Sequence, residues 1–96
     1  MKVTIETIKD NFPSATKINQ IGAKQLFTCT INGCNYLISY KTVVGIIVDD
    51  VWLITPHKHS RTTSKQLTVF SYDNHVRIAS AKEWMTLSLN NLHKLN

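Results

Sequence analysis

The dipeptide Asn32-Gly33 lies between two runs of β-forming residues and constrains the fold more than any other feature of the chain. A two-residue type I′ turn needs positive φ at both central residues, and Asn-Gly adopts these angles at low cost. The sequence therefore predicts a hairpin whose register follows from the turn. The pairs placed opposite one another are Ile31 with Cys34, Cys29 with Tyr36, and Phe27 with Ile38.

Alternate residues of this hairpin form two faces. The predicted core face carries Phe27, Cys29, Ile31, Cys34, Tyr36, Ile38 and Tyr40, whereas Thr28, Thr30, Asn35 and Ser39 point the other way. In this register Cys29 and Cys34 are diagonal neighbours with Cα atoms roughly 7 Å apart, so a disulfide would distort the hairpin. We expect two buried free thiols and no metal site, because no second Cys or His pair lies at zinc-finger spacing.

Two apolar runs at residues 43–48 and 51–54 flank Asp49-Asp50. Continuous runs rich in β-branched residues are typical of strands that are covered on both faces, so we place these two at the centre of the sheet. Neighbouring carboxylates in a tight turn diverge and face water, which argues against an acid-base pair or a magnesium site here. Weaker patterns predict further strands at residues 16–20 and 76–79.

The two ends of the chain carry helical patterns. Ile5, Ile8 and Phe12 are spaced for a helix over residues 4–11, which Pro13 ends; an edge strand over residues 3–8 is the alternative. Near the other end, Ser80-Ala81-Lys82-Glu83 is a capping box that opens a second helix. Its predicted apolar stripe comprises Trp84, Met85, Ser88, Leu89 and Leu92, while Leu87 and Leu95 lie off it and are predicted to be exposed.

Residues 63–72 support two interpretations. Thr63-Ser64-Lys65-Gln66 has the form of a capping box and predicts a short helix. The residues from Leu67 to Tyr72 favour a strand, which would form a hairpin through Asp73-Asn74. Both structures remain open at this point.

The length and composition indicate one small globular domain. The chain has 96 residues, of which 43% are hydrophobic and 18% are charged. We expect a single α+β domain over residues 1–96, with an antiparallel sheet of about four to six strands, a short N-terminal helix and an amphipathic C-terminal helix. No apolar run reaches the roughly 18 to 20 residues of a membrane span, and the N-terminus is unlike a signal peptide, so we expect a cytoplasmic protein.

A basic, hydroxyl-rich segment at residues 57–65 follows Pro56, and no carboxylate occurs between residues 51 and 72. These side chains have no apolar partner to pack against, so the segment is predicted to lie at the surface. Its candidate partner-binding residues are His57, Lys58, His59, Arg61 and Lys65. The net charge of +5 suits an acidic partner. His57 and His59 could ligate a metal together, but His75 is the only further ligand nearby in sequence, so we expect no metal.

The stretch Tyr36-Leu37-Ile38-Ser39-Tyr40-Lys41-Thr42-Val43-Val44, followed by Ser60-Arg61-Thr62-Thr63-Ser64-Lys65-Gln66-Leu67-Thr68-Val69-Phe70, resembles a family of short uncharacterised proteins encoded by bacteriophages. In that family a Tyr-rich strand precedes a Thr-Thr-Ser-Lys or Thr-Thr-Ser-Arg segment. The resemblance implies a phage source and a bacterial host, but it implies no reaction.

No catalytic motif is recognisable in the sequence. The chain has three glycines, no glycine-rich phosphate loop, no nucleophile elbow and no Cys-His pair with an orienting acid. We therefore expect a protein that is not an enzyme, needs no cofactor and acts by occupying a surface of a bacterial host protein or complex, for example as an inhibitor of a host enzyme or of bacterial immunity. The alternative is nucleic-acid binding by the basic segment at residues 57–65, and pairing with a second copy at a sheet edge, giving a homo-oligomer, also remains open.

Overall fold

The computed structural model describes residues 3–21, 25–57 and 59–90. The elements in chain order are α1 (Ile5–Asn11), β1 (Thr16–Gln20), β2 (Leu26–Ile31), β3 (Cys34–Ser39), β4 (Thr42–Val48), β5 (Val51–Ile54), α2 (Arg61–Asp73), β6 (Val76–Ile78) and α3 (Ala81–Asn90). The predicted α+β class is confirmed. No helix among these residues is long and apolar enough to cross a membrane.

The six strands form one sheet in the order β1-β2-β3-β4-β5-β6. The first five strands are antiparallel, whereas β6 runs parallel to β5. The predicted antiparallel sheet of about four to six strands is confirmed for the first five strands but wrong at the last pair, because α2 returns the chain to the starting end of β5 before β6 begins. The central position predicted for residues 51–54 is wrong as well, because β5 lies next to the edge strand.

The predicted hairpin of β2 and β3 is confirmed with the register derived from its turn. Asn32 and Gly33 have φ of 52° and 81°. The turn between β4 and β5 also has positive φ, at Asp49 (52°) and Asp50 (65°), and both residues are exposed as expected. Asn, Gly and Asp tolerate the left-handed backbone conformation, and they form the turns of the β2–β3 hairpin and the β4–β5 hairpin.

Helices cover the sheet on both faces. On one face, the predicted core residues of β2 and β3 pack with Ile8 of α1 and Trp84 of α3. On the other face, Phe70 of α2 packs with a second cluster, whose strand members are Leu26, Leu37, Val44, Trp52 and Ile54. The ring of Phe70 meets that of Trp52 edge to face, with centroids 5.6 Å apart.

Gly45 in β4 lets the second core close around it. A Cβ atom at this position would lie 3.0 Å from Ile54 Cδ1, 3.3 Å from Leu37 Cβ and 3.3 Å from the Leu53 carbonyl oxygen. The absence of a side chain therefore allows β3, β4 and β5 to pack closely beneath α2.

The predicted N-terminal helix is confirmed, and the edge-strand alternative is wrong. Thr4 is the N-cap of α1, and its hydroxyl accepts a hydrogen bond from the backbone N–H of Thr7.

The capping box that opens α3 is confirmed. The backbone N–H of Glu83 donates to Ser80 Oγ at 3.1 Å, and that of Ser80 donates to Glu83 Oε1 at 3.4 Å. The predicted stripe is confirmed at Trp84, which is buried, and wrong at two positions: Met85 is 63% exposed, whereas Leu87 is half-buried and packs against the first core. The side chains of Ser88 and Leu89 lie outside the described part of the structure. Leu92 and Leu95 lie outside the described residues.

Candidate interaction surface on helix α2

Helix α2 begins at Arg61, because Ser60 and not Thr63 is its N-cap. The Ser60 hydroxyl accepts a hydrogen bond from the Thr63 backbone N–H at 3.1 Å. The capping box predicted from Thr63 to Gln66 is therefore wrong, although the helix that it predicted is confirmed. The hairpin alternative for residues 63–72 is wrong, since α2 continues for 13 residues to Asp73.

Thr63 and Gln66 are buried against the sheet, where they meet Ser39 at the end of β3. Ser39 Oγ donates to Gln66 Oε1 at 2.8 Å and lies 3.0 Å from Thr63 Oγ1. Because the one hydroxyl proton of Ser39 is used on Gln66, Thr63 must be the donor to Ser39. Ser60 Oγ in turn donates to Thr63 Oγ1 at 3.1 Å. A chain of hydrogen bonds thus runs from Ser60 through Thr63 and Ser39 to Gln66.

This hydroxyl chain fixes the rotation of α2 about its axis. Hydrogen bonds between buried side chains require a defined geometry, whereas the apolar contacts of Phe70 alone would permit the helix to rotate. Ser39, predicted to point away from the core, does so, but it is buried beneath α2 and is not exposed.

With this rotation, one stripe of α2 faces solvent along its length. Arg61, Lys65, Val69 and Tyr72 follow the spacing i, i+4, i+8 and i+11, and all four are exposed. Val69 is 44% exposed and Tyr72 is 75% exposed. At a rise of about 1.5 Å per residue, the stripe is about 16 Å long, with its cations at one end and its apolar groups at the other.

The charge of the stripe opposes the helix dipole. The first turn of α2 contains no acidic residue, and Arg61 occupies its first position. Cations near a helix N-terminus are unfavourable, by roughly 0.3 to 1 kcal/mol each when exposed. Within the described parts of the chain the sole salt bridge joins Arg77 to Glu83, so neither Arg61 nor Lys65 has a carboxylate partner there.

The predicted binding residues lie in three different settings. Arg61 and Lys65 lie on the exposed stripe. His57 is exposed in the loop before α2, whereas His59 is half-buried and its Nε2 atom lies 3.2 Å from the Thr55 carbonyl oxygen. Lys58 lies outside the described residues. No group of three or more His, Cys, Asp or Glu side chains that could hold a metal occurs in the described ranges.

Val69 and Tyr72 are the candidate site residues that the sequence interpretation missed. Their spacing from Arg61 and Lys65 is visible in the sequence, but it has meaning only when the whole of residues 61–73 is helical. Placing the N-cap at Thr63 left Arg61 in a loop and hid the pattern.

An apolar groove adjoins this stripe, between α2 and the edge strand β6. It has a volume of about 290 Å³. Its lining includes Ile54, Leu67, Val76 and Ile78, with the hydroxyls of Ser64 and Thr68 along the helix side. Ser64 and Thr68 also border the open surface over Arg61, Lys65 and Val69, so the groove and the stripe are continuous.

Neither Cys29 nor Cys34 forms a disulfide, as predicted, and both lie away from α2 on the opposite side of the sheet. Cys29 is buried and Cys34 is half-buried. Burial raises the pKa of the Cys29 thiol to about 11, and burial together with the nearby Cys34 and Cys29 raises the pKa of Tyr36 to about 12. Cys29 is therefore protonated and unreactive near neutral pH.

Comparison with known proteins identifies a protein family that the chain matches over most of its length. The model of a family of unknown function, DUF8033, matches residues 4–86, from the start of α1 to the middle of α3. Neither a curated protein nor a solved structure matches the chain significantly.

Proposed function

The chain belongs to the DUF8033 family, and because that family has no known function, we propose from the geometry that the protein is a non-enzymatic interaction module that binds an acidic surface of a partner protein. The contact surface is the stripe of Arg61, Lys65, Val69 and Tyr72 on α2. One observation carries the proposal: two cations that have no carboxylate partner among the described residues lie in line with two exposed apolar side chains.

The composition of the stripe suits a protein interface. Tyr and Arg are enriched among the residues that contribute most to binding, and an interface places apolar contacts beside a charged rim. Val69 and Tyr72 supply the apolar area here, while Arg61 and Lys65 supply charge that an acidic partner would neutralise. The unfavourable position of Arg61 at the helix N-terminus supports a role in binding, because this placement does nothing for stability.

A protein partner fits this surface better than a nucleic acid does. Exposed Tyr72 offers a side chain on which a base could stack, so the nucleic-acid alternative has one favourable feature. However, the stripe carries only two cations, which would release few counterions from a phosphate backbone. Asp73 lies exposed at the end of the same helix. Affinity on this surface would therefore come chiefly from apolar contacts.

The resemblance of residues 36–44 and 60–70 to phage-encoded proteins supports a setting for the proposed partner. In that setting the protein acts in the cytoplasm of an infected bacterium. It would occupy a surface on a host enzyme or on a component of bacterial immunity, and it would inhibit by obstruction without chemistry of its own.

Site-specific crosslinking tests the stripe directly. A photoreactive amino acid is placed at Val69, and the purified protein is irradiated in bacterial lysate before and after nuclease treatment. We expect a discrete protein adduct that survives nuclease. The same amino acid at Thr86, which is exposed on α3, serves as the positional control and should not give this adduct.

A matched pair of charge variants completes the test. The double variant Arg61→Glu/Lys65→Glu should lose the adduct at position 69. The double variant Lys41→Glu/Lys82→Glu alters two other exposed lysines, makes the same change in net charge and should retain the adduct. Equal adduct yields from the two variants would rule out the stripe, and an adduct that disappears with nuclease would point to nucleic acid instead.

A further inference from the structure

The edge strand β6 has backbone groups that are not paired with any residue in the described part of the chain. Its hydrogen bonds to β5 run from Trp52 N–H to the His75 carbonyl and from Ala79 N–H to the Ile54 carbonyl. In a parallel pair with this register, His75, Arg77 and Ala79 direct their backbone toward β5. The N–H and C=O groups of Val76 and Ile78 therefore point away from the sheet, and no other described residue bonds to them.

The opposite edge of the sheet is protected, and β6 is not. In β1 the pairing shifts register between Thr16 and Asn19, and Lys17 has a φ of 52°. An irregular strand with an exposed lysine discourages further pairing. In β6 the one charged side chain, Arg77, is held by Glu83 of α3 through two hydrogen bonds of 2.8 and 2.9 Å. These bonds hold the pKa of Glu83 below its usual range. Ile78 beside it is 62% exposed.

The apolar groove lies on the α2 side of this open edge. Val76 and Ile78 belong to both features, since their side chains line the groove while their backbone groups face outward. A strand placed beside β6 would therefore direct alternate side chains toward Leu67 and the hydroxyls of α2. Backbone hydrogen bonds and a side-chain pocket are the two components of recognition by strand addition.

We propose that β6 accepts an extended segment of the partner protein as a seventh strand, with an apolar side chain of that segment in the groove. The inference rests on the proposed function, since the segment belongs to the same acidic partner. Acidic residues of the segment lie near Lys65 and Arg61, because the groove and the stripe share Ser64 and Thr68.

A second copy of the chain fits the edge less well than a partner segment does. A symmetric pairing of β6 with β6 centred on Arg77 would place two arginines directly opposite, and such like-charge pairs are destabilising. Each copy also carries a net charge of +5. A strand of three residues would bury far less than the roughly 1,200 Å² of a stable protein interface, unless the partner also contacts α2.

The test compares two substitutions at one position. Ile78→Pro removes the outward N–H while leaving the bonds between β5 and β6 intact, since proline is tolerated at an edge. Ile78→Val keeps that N–H and is similar in size. The probe is a displayed library of random 12-residue peptides selected on the wild-type protein.

We expect selected peptides that alternate apolar residues and include acidic ones. Their affinity should fall at least fivefold on Ile78→Pro and less than twofold on Ile78→Val, because a lost hydrogen bond costs about 1 kcal/mol or more. Thr68→Trp, at an exposed position on the groove wall, should reduce binding as well without changing the urea midpoint. If circular dichroism shows that Ile78→Pro is unfolded, the affinity of the peptides for Thr68→Trp replaces it as the test of the proposal.

Three results would overturn the inference: no enriched peptide, equal affinity on the Pro and Val variants, or a wild-type dimer by sedimentation that Ile78→Pro converts to a monomer. The two proposals fail separately. If the adduct at position 69 depends on Arg61 and Lys65 while peptide binding ignores position 78, the edge is rejected and the stripe stands. If peptide binding depends on position 78 but the adduct ignores the two cations, the stripe is rejected.

Discussion

The buried hydroxyl chain beneath α2 yields a quantitative prediction about stability. Ser39→Ala removes the donor to Gln66 Oε1 and the acceptor of the Thr63 hydroxyl, whose Oγ1 lies 3.0 Å from Ser39 Oγ. Gln66 is 6% exposed, so its oxygen gains little from water when the bond is lost. An unsatisfied buried polar group costs about 1 to 3 kcal/mol, and we expect Ser39→Ala to lower the free energy of unfolding by about 2 kcal/mol.

Urea denaturation measures this change. For an m-value of roughly 1.5 kcal/mol per M, a loss of about 2 kcal/mol moves the midpoint down by about 1.3 M, well above experimental error. The slope m should stay constant, because the substitution leaves the surface exposed on unfolding nearly unchanged.

A double-mutant cycle separates the hydrogen bond from the loss of packing. Gln66→Leu replaces the acceptor with an apolar side chain of similar size, and Ser39→Ala/Gln66→Leu replaces both partners. Because the double variant leaves no unpaired amide oxygen, its loss should be smaller than the sum of the two single losses by at least 1 kcal/mol. Additive losses within about 0.3 kcal/mol would refute the role assigned to the chain.

Three further predictions concern other parts of the molecule. Gly45→Ala should lower stability by about 1 to 3 kcal/mol in the same assay, because its Cβ would lie 3.0 to 3.3 Å from atoms of Ile54, Leu37 and Leu53, which must move to admit it; an unchanged midpoint would contradict tight packing of the second core. Arg61→Glu should raise stability by roughly 0.3 to 1 kcal/mol at low salt by reversing an unfavourable charge at the N-terminus of α2, while Lys41→Glu should not. Burial raises the pKa of Cys29 to about 11, from about 9 in the unfolded chain, so the contribution of its protonated thiol to stability is complete below pH 9 and is lost as the pH rises toward 11. The difference in unfolding free energy between wild type and Cys29→Ala should shrink over that interval, and a constant difference would contradict this prediction.

Local sequence signals were sufficient for the hairpin and for the helix starts at both ends of the chain. Asn32-Gly33 determines the register of β2 and β3 because a two-residue turn leaves no freedom in the pairing. The helix α1 followed from the spacing of Ile5, Ile8 and Phe12. The capping box of α3 involves residues three positions apart, so the sequence alone contains both partners.

The start of α2 was not predictable in the same way. Ser60 and Thr63 are both suitable N-caps, and the sequence favours Thr63 because Gln66 completes a capping box with it. In the folded protein Thr63 and Gln66 instead bond to Ser39, which is 24 and 27 residues away in sequence. A tertiary contact thus decided between two local signals.

The direction of β6 and the identity of the exposed stripe both depend on whether residues 61–73 are helical. With residues 63–72 as a strand, β6 would be antiparallel to its predecessor. With α2 helical from Arg61, β6 runs parallel to β5, and Val69 and Tyr72 align with the two cations. A continuous apolar run such as that of β5 indicates that both faces of the strand are covered, but it does not indicate where the strand lies in the sheet. The predicted central position of β5 was wrong for this reason.

The parallel attachment of β6 has a consequence for how the molecule opens. Short turns join β2 through β5, so these strands assemble from contacts close in sequence, whereas β6 must wait until α2 has crossed the sheet. Once in place, β6 bonds to β5 and to no other strand of the described sheet. We expect its amides and those of α2 to exchange with deuterium before those of β3 and β4, as the least protected unit of the domain. A partner bound at the edge would then slow exchange there more than anywhere else, so that recognition and the completion of folding coincide.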